Sequence, residues 1–207
     1  MKELMTMAAG LQPVESHPFA PFLPAHSKVL LLGTFPPAPE KRAMDFYYPN
    51  FQNDMWRIMG LIFSANPDAL RKGEAKAFDP DKIKALCTEK GIALGPTVLT
   101  ARRTKGNASD KFLEVVEEAP LAAMLIRLPE CHALAATGEK AASIVLNQCL
   151  EPPKMPKTGE TVSIILAALP GRRLTLTRLP STSRAYPLKL EKKKEAYEAF
   201  FKMIKLL

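Results

Sequence analysis

The residues best equipped for chemistry in this 207-residue chain fall in two short segments far apart in sequence. The first, Phe46-Tyr47-Tyr48-Pro49-Asn50-Phe51-Gln52-Asn53-Asp54-Met55-Trp56, sets flat aromatic rings beside carboxamides. Asn53 offers both an acceptor and donors, so it can bind the edge of a polar ring or a water. It is equally suited to start the helix that follows, because asparagine is a favoured N-cap. The second segment, Leu179-Pro180-Ser181-Thr182-Ser183-Arg184-Ala185, places three hydroxyls beside a guanidinium, groups that hold oxyanions. Serines also close turns by bonding the local backbone, and that use stays open here.

Other chemistries find no pattern. Asp45, Asp54 and Asp110 lack a second carboxylate at a spacing that suits paired acid–base work. His17, His26 and His132 are scattered and form no Ser-His-Asp or Cys-His arrangement. Cys87, Cys131 and Cys149 are odd in number, far apart and without a CxxC, so neither a disulfide framework nor a metal site is indicated. The expectation is a chain with no metal and no cofactor, kept in a reducing cytoplasm.

Composition narrows the partners. Lys and Arg number 29 against 21 Asp and Glu, for a net charge of +8 and a pI near 9.4. That balance suits a polyanion. An apolar content of 47% allows one full core without cross-links. Residues 1–10 are mildly amphipathic but lack a basic region, apolar stretch and cleavage site, and no run reaches the ~18 apolar residues of a membrane span. A monomer without membrane contact is expected.

The elements that must position these groups read as alternating strands and helices. Ser27-Lys28-Val29-Leu30-Leu31-Leu32-Gly33 is a short buried strand, opening into the proline-stiffened loop Gly33-Thr34-Phe35-Pro36-Pro37. Helical spacing over 53–63 turns Trp56 and Met59 inward, and Asp79-Pro80 caps a second helix that ends near Gly91. A second strand spans 92–99, interrupted by Gly95-Pro96, and a polar segment covers 100–110. Helical text follows at 111–118 and 121–127, a strand at 132–136, and a helix at 138–150. Residues 161–169 and 173–177 are β-rich, and 188–207 form an amphipathic helix whose 192–194 lysine run reads as a solvated face. The pattern predicts an α/β fold: one three-layer domain over 28–207 with a mostly parallel central sheet and helices on both faces, preceded by an irregular proline-rich arm over 1–27. Sites in such sheets form beyond the carboxyl ends of strands.

Four segments, in order, resemble the uracil-DNA glycosylase superfamily, nearest to its mismatch-specific and hypoxanthine-DNA glycosylase-like branch. Leu31-Leu32-Gly33-Thr34-Phe35-Pro36-Pro37 with the aromatic–asparagine segment is similar to the first motif region, and Leu179-Pro180-Ser181-Thr182-Ser183 to the second motif. Thr97-Val98-Leu99 through Arg103, with Gly106-Asn107-Ala108-Ser109-Asp110, resembles a D-V-L-x-x-x-x-R-x-G-S-x-D stretch one residue shorter. Thr137-Gly138-Glu139-Lys140-Ala141 matches a T-G-x-K-A helix start. The likeness covers roughly residues 28–206. It implies a monofunctional enzyme that flips a deaminated base, uracil or hypoxanthine, out of DNA and hydrolyses its N-glycosidic bond with water as nucleophile.

The resemblance also assigns roles. The Asn or Asp that many members carry in the first motif falls on Phe35, which cannot orient water, and the second-motif histidine of the classical enzymes falls on Ser181. The asparagine implicated in the hypoxanthine-type family maps onto Asn53, which becomes the candidate catalytic residue. Gly33, Thr34, Phe35, Pro36 and Tyr48 are the candidate base pocket, Tyr48 being preferred to Tyr47, with core packing the competing use of Phe35. Ser181, Thr182, Ser183, Arg184 and Lys140 are the candidate DNA contacts. Arg184 is either a wedge or a phosphate contact, and Lys140 either a phosphate contact or a solvated lysine. The implied partner is DNA containing a damaged base. The alternative is a nucleic-acid-binding module that keeps the fold without turnover.

Overall fold

The computed structural model describes residues 12–104 and 110–207. The amphipathic start of the chain and residues 105–109 of the polar segment lie outside them.

The arm contributes a two-residue strand, β1 (Glu15–Ser16), and the aliphatic run follows as β2 (Val29–Gly33). The chain then forms α1 (Met55–Ser64), α2 (Pro80–Glu89), β3 (Ile92–Pro96), β4 (Val98–Arg103) and β5 (Leu113–Glu118). It closes with α3 (Leu121–Ile126), β6 (Ala133–Thr137), α4 (Glu139–Asn147), β7 (Thr161–Ile165), β8 (Arg173–Leu179) and α5 (Leu190–Met203). The main sheet has the order β3-β2-β6-β8-β7, parallel except for the antiparallel edge strand β7.

Period-two alternation explains the layers. Val29 and Leu31 face one side with α1, α2 and α5, where Trp56, Ile58, Ile83, Tyr197 and Phe201 are buried. Leu30 and Leu32 face the other side with α3 and α4, against Leu125, Ala141 and Val145. A fully aliphatic strand is stable only when both its faces are covered, as here. The expected three-layer α/β architecture with a mostly parallel sheet is the observed one.

Two local expectations are corrected. The strand over 92–99 breaks at Thr97, whose N–H and hydroxyl both donate to the Gly33 carbonyl, at 2.8 and 3.0 Å. Gly95 stays inside β3, and a methyl there would meet the Met124 sulfur at 2.7 Å, so its role is to let α3 approach. The chain beyond the break enters a second, antiparallel sheet in the order β1-β4-β5. Residues 111–118 do not form a helix: a 3-10 turn at Asp110–Phe112 leads into β5. Glu114 pairs across the ladder with Arg102 at 3.0 Å, and the β-branched pair Val115-Val116 suits a strand.

Candidate active site

Four parallel strands end on one edge of the main sheet, and the loops beyond Gly33, Thr137 and Leu179, with Pro96 at the end of β3, border a cleft of about 1160 Å³ there. Every residue nominated from sequence borders it: Gly33, Thr34, Phe35, Pro36, Tyr48, Asn53, Lys140, Ser181, Thr182, Ser183 and Arg184.

Tyr48 leans over the end of β2. Its backbone is left-handed, at φ 52°, a conformation that a bulky residue adopts only when its surroundings impose it. Its hydroxyl lies 3.1 Å from the Thr137 Oγ1, which itself donates to the Leu32 carbonyl at 3.1 Å, so the coherent chain runs from Tyr48 through Thr137 to β2. Burial raises the Tyr48 hydroxyl to about 12, which keeps it a neutral donor. A methyl on Gly33 would stand 3.2 Å from that hydroxyl, so glycine gives the ring its seat. Tyr47 is buried, donating to the Ala20 carbonyl at 3.2 Å, while its own carbonyl accepts from the Trp56 indole at 3.0 Å. Both tyrosines border the cleft, Tyr47 being the more deeply buried in the core.

Phe35 is half-buried at the wall nearest the arm, with the His17 ring edge-on at 5.5 Å and the Arg103 guanidinium 5.4 Å from its centre. Arg103 also donates to the Pro36 carbonyl at 2.6 Å and to Glu15 at 2.8 Å, tying the loop to the arm. His17 was not singled out by sequence. Burial lowers it to about 4, with a smaller contribution from Arg42, against the upward pull of the Phe19 carbonyl. The cleft therefore carries a neutral imidazole.

Asn53 stands just before α1. The N-cap is Asp54 and not Asn53 as expected: the Asn53 Oδ1 accepts from the Met55 N–H at 2.9 Å in a turn that leads into the helix, and its carbonyl accepts from Arg57 at 3.2 Å. Its amide nitrogen has no hydrogen-bond partner among the described residues, and the residue borders the cleft.

The 181–184 loop is pinned from beneath. The buried Thr182 gives its carbonyl to the Asp54 N–H at 3.0 Å, and Lys193 donates to Asp54 Oδ2 and to the Ser183 carbonyl, both at 2.8 Å. Lys193 is 0% exposed, so the 192–194 run is not a uniformly solvated face. Arg184, 59% exposed in its side chain, reaches the other Asp54 oxygen at 3.3 Å. Ser181 and Ser183 each accept a backbone N–H two residues on, at 3.3 and 3.2 Å, so both take part in turns. Lys140 donates to the carbonyl of Asp110 at 2.8 Å and to that of Leu113. Its ammonium thus has a structural use beside the phosphate contact expected of it.

Sequence reasoning passed over Asp110 and Asp54 as unpaired carboxylates. Thr34 donates to Asp110 Oδ1 at 2.5 Å, and Asp54 joins α1, α5 and the 181–184 loop. The signal for Asp110 was its place closing the polar segment. Nothing local marks Asp54 or Lys193, whose partnership spans 139 residues.

With this geometry in place, comparison with solved structures is decisive for the fold. The chain matches the solution NMR structure of a Methanosarcina acetivorans protein provisionally named a uracil DNA glycosylase, with a TM-score of 0.61. The match covers 93% of this chain and 99% of that one at 18% identity. The architecture is uracil-DNA glycosylase-like. No protein-family model and no curated protein matches the sequence. In this glycosylase-like fold the cleft takes the usual place for a ligand in an open parallel sheet, outside the carboxyl ends of the strands. Among the described residues no helix is long and apolar enough to cross a membrane.

Proposed function

We propose that the protein is a monofunctional DNA glycosylase of base-excision repair, hydrolysing the N-glycosidic bond of a flipped deaminated base, uracil or hypoxanthine. The observation that carries this reading is the convergence of Tyr48, Asn53 and the 181–184 loop on one cleft of a glycosylase-like fold.

The glycosidic carbon is unreachable inside a stacked duplex, so the nucleotide must first be extruded. The Tyr48 ring, fixed through Thr137, offers a face on which the base stacks. Ser181 and Ser183 hold the flanking phosphates, and Arg184 fills the gap in the duplex. Breaking the bond leaves an oxocarbenium-like sugar and a departing base that carries negative charge. Asn53 has its Oδ1 engaged by Met55 and keeps its N–H donors, so it stabilises the base oxygen on which charge collects. Water then adds to the sugar and leaves an abasic site.

A second reading, a binding module without turnover, is favoured by Phe35 at the usual amide position and by the bond that commits the Asn53 oxygen to α1. Oligonucleotides carrying uracil, hypoxanthine or xanthine, incubated with the protein and treated with alkali, separate the two. Scission above background supports the glycosylase. Binding without scission of any lesion supports the module.

A further inference from the structure

Asp110 has no part in the mechanism above, yet its carboxylate is built into the cleft. It heads the 3-10 turn before β5 and borders the same space as Thr34, Tyr48 and Thr137. Thr34 fixes one oxygen, Oδ1, with a 2.5 Å hydrogen bond. Lys140 binds the Asp110 backbone carbonyl at 2.8 Å, placing positive charge close by. No hydrogen bond to the other oxygen, Oδ2, occurs among the described residues, and Asp110 borders the cleft.

We propose that Asp110 Oδ2 accepts the ring N–H that deamination creates on a base, and so is the residue by which the site tells deaminated bases from their parents. Cytosine N3 and adenine N1 are lone-pair acceptors. Deamination turns them into the N3–H of uracil and the N1–H of hypoxanthine. An ionised carboxylate only accepts, so it pairs with either product and opposes either parent. One oxygen therefore recognises a pyrimidine and a purine lesion by a feature that deamination gives to both. Thr34 is the positioning residue, since its hydroxyl turns Oδ2 toward the base. This assignment rests on the glycosylase reading.

The titratable groups coupled to Asp110 among the described residues are Lys140 of α4 and Tyr48 of the aromatic loop. Burial pushes the Asp110 carboxyl upward, while the Thr34 hydrogen bond and the Lys140 charge pull it back. Protonation would convert the acceptor into a donor, so recognition should fail on acidification before ordinary carboxylates titrate.

The test compares single-turnover release of each lesion with its analogue carrying C–H in place of the ring N–H: hypoxanthine against 1-deazahypoxanthine, and uracil against 3-deazauracil. A hydrogen bond to a charged group predicts that the wild-type protein favours the natural lesion by roughly ten- to a hundredfold beyond the analogue's intrinsic lability. Asp110→Asn and Asp110→Ala should lower that ratio by the same factor, and the wild-type ratio should fall on acidification. The same ratio in wild type and both variants, or a wild-type ratio independent of pH, overturns the assignment. Because the pH series uses the unaltered protein, it decides the matter even if the variants fail to fold. Failure of the wild-type protein to release either lesion overturns the glycosylase reading, and this inference with it.

Discussion

The two walls of the cleft are held by opposite physics. On the side of β2, Tyr48 and Phe35 meet mainly neutral groups, through the Tyr48–Thr137–Leu32 hydrogen-bond chain, the His17–Phe35 edge contact and the glycine seat. Charge enters there where Arg103 ties the loop to the arm and Thr34 binds Asp110. On the side of α5, the 181–184 loop is fixed by ionic contacts centred on Asp54, with Lys193 beneath and Arg184 above. The neutral wall suits bond cleavage, since a dry pocket strengthens each dipole aimed at developing charge. The ionic wall suits a phosphate backbone, whose own charge can compete for Arg184 while Lys193 holds the loop.

The largest effect expected from this contrast is on stability. Lys193→Ala leaves the buried Asp54 with the exposed Arg184 as its remaining ion-pair partner among the described residues, and breaking a buried pair from one side costs about 3–5 kcal/mol. Denaturant titration checks it. A loss no greater than that of an exposed lysine would erase the distinction between the walls.

A smaller, pH-dependent effect belongs to the neutral wall. Burial holds His17 near 4 rather than its ordinary 6.5, so the unfolded chain binds its proton first as pH falls. The His17 contribution is whole above about 6.5 and declines as pH drops toward about 4. His17→Gln should flatten the fall in stability across that window, measured by denaturation at several pH values. An unchanged slope would show that the imidazole is not held neutral.

Arg184→Ala should change stability least, by about 1 kcal/mol or less, because its ion pair is largely exposed. Removal of a duplex wedge should still impair action on paired duplexes more than on single strands. Equal loss on both substrates would make Arg184 a phosphate contact.

What was legible in the sequence follows the same division. The aliphatic run 29–32, the inward Trp56 and the Asp79-Pro80 helix start are local patterns, and each carries its meaning within a few residues. The gathering of Gly33, Tyr48, Asn53 and the 181–184 loop was legible through motif order and the strand-end rule. Residues 111–118 misled because glutamates read as helical, while the partner that makes them a strand, β4, is fixed by tertiary pairing. Lys193 misled for the same reason. A lysine run signals solvent unless a distant carboxylate lies beneath it, and Asp54 reveals itself only in the folded chain.

Asn53 tests the central claim most directly, because its two readings meet in one side chain at the cleft: an oxygen bound to the first residue of α1 and an amide nitrogen without a partner among the described residues. Single-turnover base release, DNA affinity and melting temperature would be measured for wild type and Asn53→Ala on the same preparations. A glycosylase with Asn53 acting on the transition state predicts release by the wild type and a loss of roughly a hundredfold or more in the variant, with DNA affinity preserved. Loss of the Met55 hydrogen bond alone predicts about 1 kcal/mol less stability and an unchanged rate per folded molecule. A folded variant that releases the base as fast as wild type would contradict the catalytic role of Asn53.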